Sequence, residues 1–166
     1  MSEALRLIIT GGTFDKAYDS LKGELTLSRT HLPAILESVR CTVPVVLEIC
    51  RLLDSLQMGD EDRYAVRDAC IASIEDRIVI THGTDTMVET ARVIADAGMN
   101  KTIVLTGAMV PYAVTGSDAL FNLGSAVSAA QFLPAGVYIC MHGRIYNALF
   151  VKKNRERGVF EEVARE

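Results

Sequence analysis

A single α/β domain with a doubly wound, mostly parallel sheet and helices on both faces is the fold that this sequence predicts. Three observations carry the prediction. The strand candidates are short and apolar throughout rather than alternating, as strands covered on both faces are. Stretches with helical spacing separate them. The 166 residues, 49% hydrophobic and 23% charged, suffice for one domain with a real core.

The elements follow in order. Leu5 to Thr10 is an apolar, β-branched run that stops at Gly11-Gly12. Residues 13–29 are polar and aperiodic, so they read as a loop or a small hairpin. Thr30 can cap a helix over His31 to Val39, with Pro33 tolerated in its first turn. Pro44 to Ile49 is a second strand, and Asp54 to Gly59 a polar connection. Glu61 to Glu75 is helical, because Val66, Cys70 and Ile74 recur every four residues. Ile78 to Thr81 is the third strand. Thr86 and Glu89 have capping-box spacing for a helix that runs to Gly98. Thr102 to Thr106 is the fourth strand. Leu120, Leu123, Val127 and Ala130 mark a helix that ends before Pro134. Val137 to Cys140 and Ile145 to Val151 close the pattern as strands.

Composition narrows the function. Seventeen basic against 21 acidic residues give a net charge of −4, which argues against a nucleic-acid surface. The one basic cluster, Lys152, Lys153, Arg155 and Arg157, is interrupted by Glu156 and reads mainly as a solvated face. Cys41, Cys50, Cys70 and Cys140 form no CxxC pair and are expected to be buried free thiols. No apolar run approaches the ~18 residues of a membrane span, and the first residues lack a secretory pattern. A cytoplasmic protein with no membrane partner is the expectation.

In open parallel sheets, ligands bind beyond the carboxyl ends of the strands. Small polar residues stand there in this sequence: Gly11-Gly12-Thr13, His82-Gly83-Thr84-Asp85 and Gly107-Ala108. Two readings are open from pattern alone, since Gly-Thr turns and threonine caps need no ligand. The dinucleotide fingerprint, P-loop, GxSxG elbow and HExxH zinc motif are all absent.

Three segments carry a resemblance: ITGGTFD from Ile9 to Asp15, THGTDTMVETA from Thr81 to Ala91, and LTGAMVP from Leu105 to Pro111. Together, and in this order, they resemble the bacterial-type L-asparaginase/glutaminase family of threonine amidohydrolases. Weaker similarity runs through Phe121 to Leu123 and from Gly136 to Lys153. The resemblance covers only that family's larger N-terminal domain, so one domain over 1–166 with no second domain is expected.

The resemblance implies an L-asparaginase that hydrolyses the side-chain amide of asparagine to aspartate and ammonia, without a metal or organic cofactor. Glutamine or another small amide is the alternative substrate, and a non-catalytic amino-acid-binding or assembly module is the alternative class. Thr13 would be the attacking hydroxyl. Thr84, Asp85 and Lys153 would form a Thr-Lys-Asp arrangement, with Lys152 as partner if the register slips by one. Asp85 would also hold the substrate's amino group and Ser55 its carboxylate, although Leu56 departs from the family. Ala108 would turn its backbone carbonyl to the reacting amide, and the N–H groups of Gly12, Thr13, Gly83 and Thr84 would stabilise an oxyanion. Tyr18 would replace the family's loop tyrosine, on a shorter loop. His82 reads as structural, packed behind its turn, and His142 as structural or facing the cleft. A dimer or tetramer is implied, with Val159, Phe160 and Val163 buried at its interface.

A threonine hydroxyl needs a proton acceptor to attack an amide. A lysine serves only when burial or charge lowers its pKa, and a neighbouring aspartate does the reverse. Lys153 is therefore a base or a charge anchor.

Overall fold

The apolar runs assemble into one six-stranded sheet in the computed structural model, which describes residues 3–164. Strand β1 is Leu5–Gly11, and a hairpin of β2 (Ala17–Asp19) and β3 (Glu24–Thr26) follows it. Helix α1 (Leu32–Ser38), strand β4 (Val45–Leu53), helix α2 (Asp60–Ala72) and strand β5 (Arg77–Thr81) come next. Helix α3 (Met87–Ala95), strand β6 (Thr102–Thr106), helix α4 (Ala119–Phe132) and strand β7 (Gly136–Met141) complete the winding. The chain then forms β8 (Arg144–Asn147), β9 (Val151–Asn154) and β10 (Val159–Glu162).

The sheet order is β4-β1-β5-β6-β7-β8. All pairings are parallel except β7 with β8. The chain moves from β1 out to β4, then returns across β1 to β5 and continues to β6 and β7. The winding therefore reverses between β1 and β5, which is where such sheets open a crevice for a ligand. On one face Ile8, Ile78, Ile80 and Ile103 pack with Val66 and Cys70 of α2 and Met87, Ala91 and Ile94 of α3. On the other, Leu5, Leu7, Ile9, Val79 and Val104 pack with Leu32 and Ile35 of α1 and Leu123, Ala126 and Ala130 of α4. Central strands buried on both faces explain their unbroken apolar sequences.

Several elements depart from expectation, each for a local reason. Helix α2 ends at Ala72, so Ile74 lies beyond it and is 82% exposed rather than in the core stripe. Thr86 does occupy the N-cap of α3, but its hydroxyl donates to Ser55 O at 2.8 Å instead of closing a capping box. The predicted last strand is two strands, because Asn147 accepts the Leu149 N–H and turns residues 148–150 into a 3-10 helix. Beyond that turn β9 pairs antiparallel with β10 in a separate two-stranded sheet. Phe160 is buried in its own chain, in the same cluster as Tyr146, whereas Val163 is 41% exposed.

All four cysteines are free, but Cys41 and Cys50 are only half-buried. Burial pushes the Cys70 thiol up to about 12 and the Cys140 thiol to about 11, so neither is a reactive thiolate. No helix among the described residues is long and apolar enough to cross a membrane. Nor do three or more His, Cys, Asp or Glu side chains gather there where they could hold a metal ion.

Candidate active site

The turn after β1 sits against two others. A register shift lies between Ile9 and Gly11, after which Gly11 pairs with Leu53 and the Gly12 N–H donates to Leu53 O at 2.9 Å. Gly12 has φ 77, a conformation open to glycine. A Cβ at Gly12 would stand 2.4 Å from Gly83 N, so the turns after β1 and β5 touch backbone to backbone. Each is followed at once by a threonine: Thr13 after Gly12, Thr84 after Gly83. A Cβ at Gly83 would in turn stand 2.6 Å from Ser55 Oγ. The glycines thus bring Thr13, Thr84 and Ser55 together from segments far apart in the chain.

Because its N–H is committed to Leu53, Gly12 cannot supply the oxyanion donor expected of it. Its role in the site is the close approach. The N–H groups of Thr13, Gly83 and Thr84 donate to no backbone carbonyl among the described residues.

Lys153 reaches the turn after β5 from β9. Its Nζ donates to Thr84 Oγ1 at 2.8 Å and to Asp85 Oδ1 at 2.7 Å. Its side chain is 8% exposed and that of Asp85 35%. Lys152, the adjacent alternative, is exposed on the same strand. Arg155 donates to Asp85 O at 3.2 Å, while Arg157 is solvated. Since the lysine donates to Thr84 Oγ1, the hydroxyl's own proton must point elsewhere, and Met109 Sδ lies 3.6 Å away.

Ser55 is buried beside the start of α3, where its Oγ accepts the Thr86 N–H at 3.3 Å. That places its hydroxyl near the positive end of a helix, a favourable place for a carboxylate. Asp54, one residue earlier, pairs with Lys16 and so ties the loop after Thr13 to the Ser55 turn. Burial pushes the Asp54 carboxyl up, but hydrogen bonds from Lys16 and the Leu56 N–H outweigh it and hold it below its usual value. Tyr18 stands on β2 opposite Leu25 and is 67% exposed, with no hydrogen bond to Thr13.

His82 is fully buried behind its turn, as the sequence suggests. One ring nitrogen meets Gly83 O at 2.7 Å and the other Thr90 Oγ1 at 2.8 Å. Burial lowers its pKa to about 4 despite the Gly83 hydrogen bond, so it is a neutral brace for the turn that carries Thr84.

The third turn has partners that the sequence did not announce. Ala108 is buried between Gly107, whose carbonyl accepts from Asn122 Nδ2 at 2.9 Å, and Met109, whose N–H donates to Asp118. His142 Nε2 also meets Asp118, at 2.9 Å. Burial pushes the Asp118 carboxyl up, but the Met109, Val110 and His142 hydrogen bonds outweigh it and hold it below the usual range. Asn122 falls within the weakly similar segment at Phe121 to Leu123 and His142 within that from Gly136 to Lys153, but nothing in the sequence joined them to Asp118.

Size does not mark the site. A concavity of 510 Å³ lined by Met141, Arg144, Tyr146 and Phe160 includes neither threonine. Asp85 and Lys153 line a smaller one of 280 Å³ together with Arg92 and Lys152.

A doubly wound α/β domain, with two threonine turns in contact at its switch point and a lysine–aspartate pair on one of them, is the arrangement these contacts define. The chain belongs to the asparaginase family: residues 4–161 match that family's N-terminal domain. It is 32% identical over 162 residues to the glutaminase-asparaginase of Acinetobacter glutaminasificans, covering 89% of this chain and 48% of that one. It is 42% identical over 150 residues to a glutamyl-tRNA(Gln) amidotransferase subunit of Aeropyrum pernix, covering 85% of this chain and 35% of that one. The structure of the thermostable L-asparaginase from Thermococcus kodakarensis superposes with a TM-score of 0.85 at 27% identity, covering 98% of this chain and 52% of that one. The chain therefore spans about half the length of these relatives or less.

Proposed function

We propose that this chain is an amidohydrolase acting on the side-chain amide of a small amino acid, with glutamine and asparagine both as candidate substrates. The observation that carries the reading is the Lys153 Nζ contact to Thr84 Oγ1 and Asp85 Oδ1, at 2.8 and 2.7 Å, beside the Gly12–Gly83 contact. Asparagine alone, the first expectation from the sequence, gives way to the wider class. Relatives named for glutaminase-asparaginase, L-asparaginase and amidotransferase activity resemble this chain to comparable degrees.

In the proposed reaction Thr13 Oγ1 attacks the amide carbon and gives up its proton. The charge on the carbonyl oxygen is met by N–H groups of the Thr13, Gly83 and Thr84 backbone. The C–N bond breaks, the nitrogen takes the proton that Thr13 gave up and ammonia leaves, and the acyl group remains as an ester on Thr13. Water then attacks that ester. Its proton passes to Thr84 Oγ1, which Lys153 Nζ holds against Asp85, while the Thr84 hydroxyl's own proton goes to Thr13 Oγ1 as the ester bond breaks and the product acid leaves. Ser55 and the start of α3 hold the substrate's carboxylate, Asp85 its amino group, and the Ala108 carbonyl its amide N–H. Tyr18 is the proposed hydroxyl partner of Thr13 in the loaded site. A homo-oligomer and a cytoplasmic location complete the proposal.

Ammonia release measured with glutamine, asparagine and longer amides tests it. Both amino acids are expected to turn over. One methylene changes discrimination by about 1–3 kcal/mol, so their kcat/KM values should differ by about ten- to two-hundredfold. Folded protein that releases ammonia from no amide would leave only the binding or assembly module.

A further inference from the structure

The carboxylate of Asp118, at the start of α4, gathers three parts of the fold. Its two oxygens each lie 3.0 Å from the Met109 N, and Oδ1 also accepts the Val110 N–H at 2.9 Å. Asn122 Nδ2 and His142 Nε2 both donate to Oδ2 at 2.9 Å. Asn122 is fully buried and joins the same parts a second time, because its Oδ1 accepts the His142 backbone N–H at 3.0 Å. His142 holds φ 53, uncommon for a residue with a side chain, at the turn between β7 and β8.

These contacts act on one peptide. There are no cis peptide bonds among the described residues, and in a planar trans peptide the C=O and the N–H point in opposite directions. Asp118 fixes the Met109 N–H, so the Ala108 carbonyl is turned away from Asp118. Asn122 fixes the Gly107 carbonyl, so the Ala108 N–H is turned away from Asn122. Both planes flanking Ala108 are thereby set by side chains from α4. The same loop presents Met109 Sδ to Thr84 Oγ1 at 3.6 Å.

We infer that His142, through Asp118 and with Asn122, is a positioning residue that aims the Ala108 carbonyl at the reacting amide; this rests on the proposed amide hydrolysis. The imidazole touches no part of the site directly. It fixes the orientation of the carboxylate on which the Ala108 peptide hangs. Without that donor the carboxylate can rotate, the Met109 N–H loses its fixed acceptor, and the Ala108 carbonyl swings. A carbonyl that orients an amide affects the geometry of attack more than the initial grip on the substrate's charged groups.

The test compares His142→Gly, which accepts positive φ but removes the donor, with His142→Gln, whose amide nitrogen restores it. Two readouts are taken on the full chain: kcat and KM for the amide, and hydrogen exchange at the Met109 and Val110 amides. His142→Gly should lower kcat by about ten- to a hundredfold, as a misplaced reactive geometry does, with KM within about threefold. It should speed exchange at Met109 and Val110 by about tenfold, the effect of losing one charge-assisted hydrogen bond. His142→Gln should recover most of both. Unchanged exchange in His142→Gly would overturn the proposal. So would unchanged kcat in an active protein, or a glutamine variant as impaired as the glycine one. A wild type inactive on every amide would overturn the proposed function instead, and exchange alone would then decide whether the clamp orders Ala108.

Discussion

Replacing Lys153 with methionine is expected to lower ammonia release by about a thousandfold, within the range that removing a general acid or base produces. The effect is large because Lys153 is the only group bonded to both Thr84 Oγ1 and Asp85 among the described side chains. Methionine keeps the buried stem but has no N–H to donate, so Thr84 Oγ1 loses the group that holds it and its link to Asp85. Stability should move much less. Asp85 is a third exposed, so water can take over its solvation, and methionine fills the space of the buried lysine stem. Lys152→Met provides the contrast. That side chain is exposed on the same strand, and its loss should leave kcat/KM unchanged. The measurement is the initial rate of ammonia release with a thermal midpoint for each variant. Equal losses in both lysine variants would mean that general basicity of β9, rather than the Thr84–Lys153–Asp85 contact, matters.

Gly12→Ala is expected to destabilise the fold strongly. Two penalties add. With φ 77 and ψ −174, Gly12 occupies a region that is nearly glycine-only, at a cost of about 1–3 kcal/mol for any other residue. The new methyl would also stand 2.4 and 2.5 Å from backbone atoms of Gly83, which no side-chain rotation relieves. Overpacking of that kind costs about 1–3 kcal/mol more. A sum of about 3 kcal/mol or more is a large part of a typical total of about 5–15 kcal/mol. It should lower the thermal midpoint by about 10 °C for a chain of this size. Gly116→Ala separates the terms, because Gly116 has φ 83 but nothing within 4 Å of its missing Cβ. It should cost only about 1 kcal/mol. Equal shifts for the two variants would show that contact between the turns contributes nothing.

Fold and site were unequally legible. The parallel core was readable because Ile78 to Thr81 and Thr102 to Thr106 are buried on both faces, which leaves an unbroken apolar signature. The end of the chain was not. Asn147 stops one strand by bonding Leu149, and in sequence that appears as one more polar residue in an apolar stretch. Ile74 kept helical spacing past the real helix end, since periodicity cannot see where hydrogen bonding stops.

The resemblance pointed to Thr13, Thr84, Asp85 and Lys153, and the fold brings Lys153 to Thr84 and Asp85 across 68 residues or more. What pattern could not reveal was use. Gly12 spends its N–H on Leu53, and Thr86 spends its hydroxyl on Ser55 rather than on its own helix. Asp118, Asn122 and His142 were invisible as a group, because three polar residues from two distant segments meet only when β7 lies beside β6.

The most direct test of the threonine-based site is ammonia release by Thr13→Ala against wild type, at equal concentrations of protein with matching circular dichroism. Thr13 is half-buried on a turn outside the core clusters, so the variant should fold. A threonine nucleophile predicts that release falls by at least about a thousandfold, as loss of an attacking hydroxyl requires. A Thr13→Ala protein that keeps turnover within tenfold of wild type would contradict it.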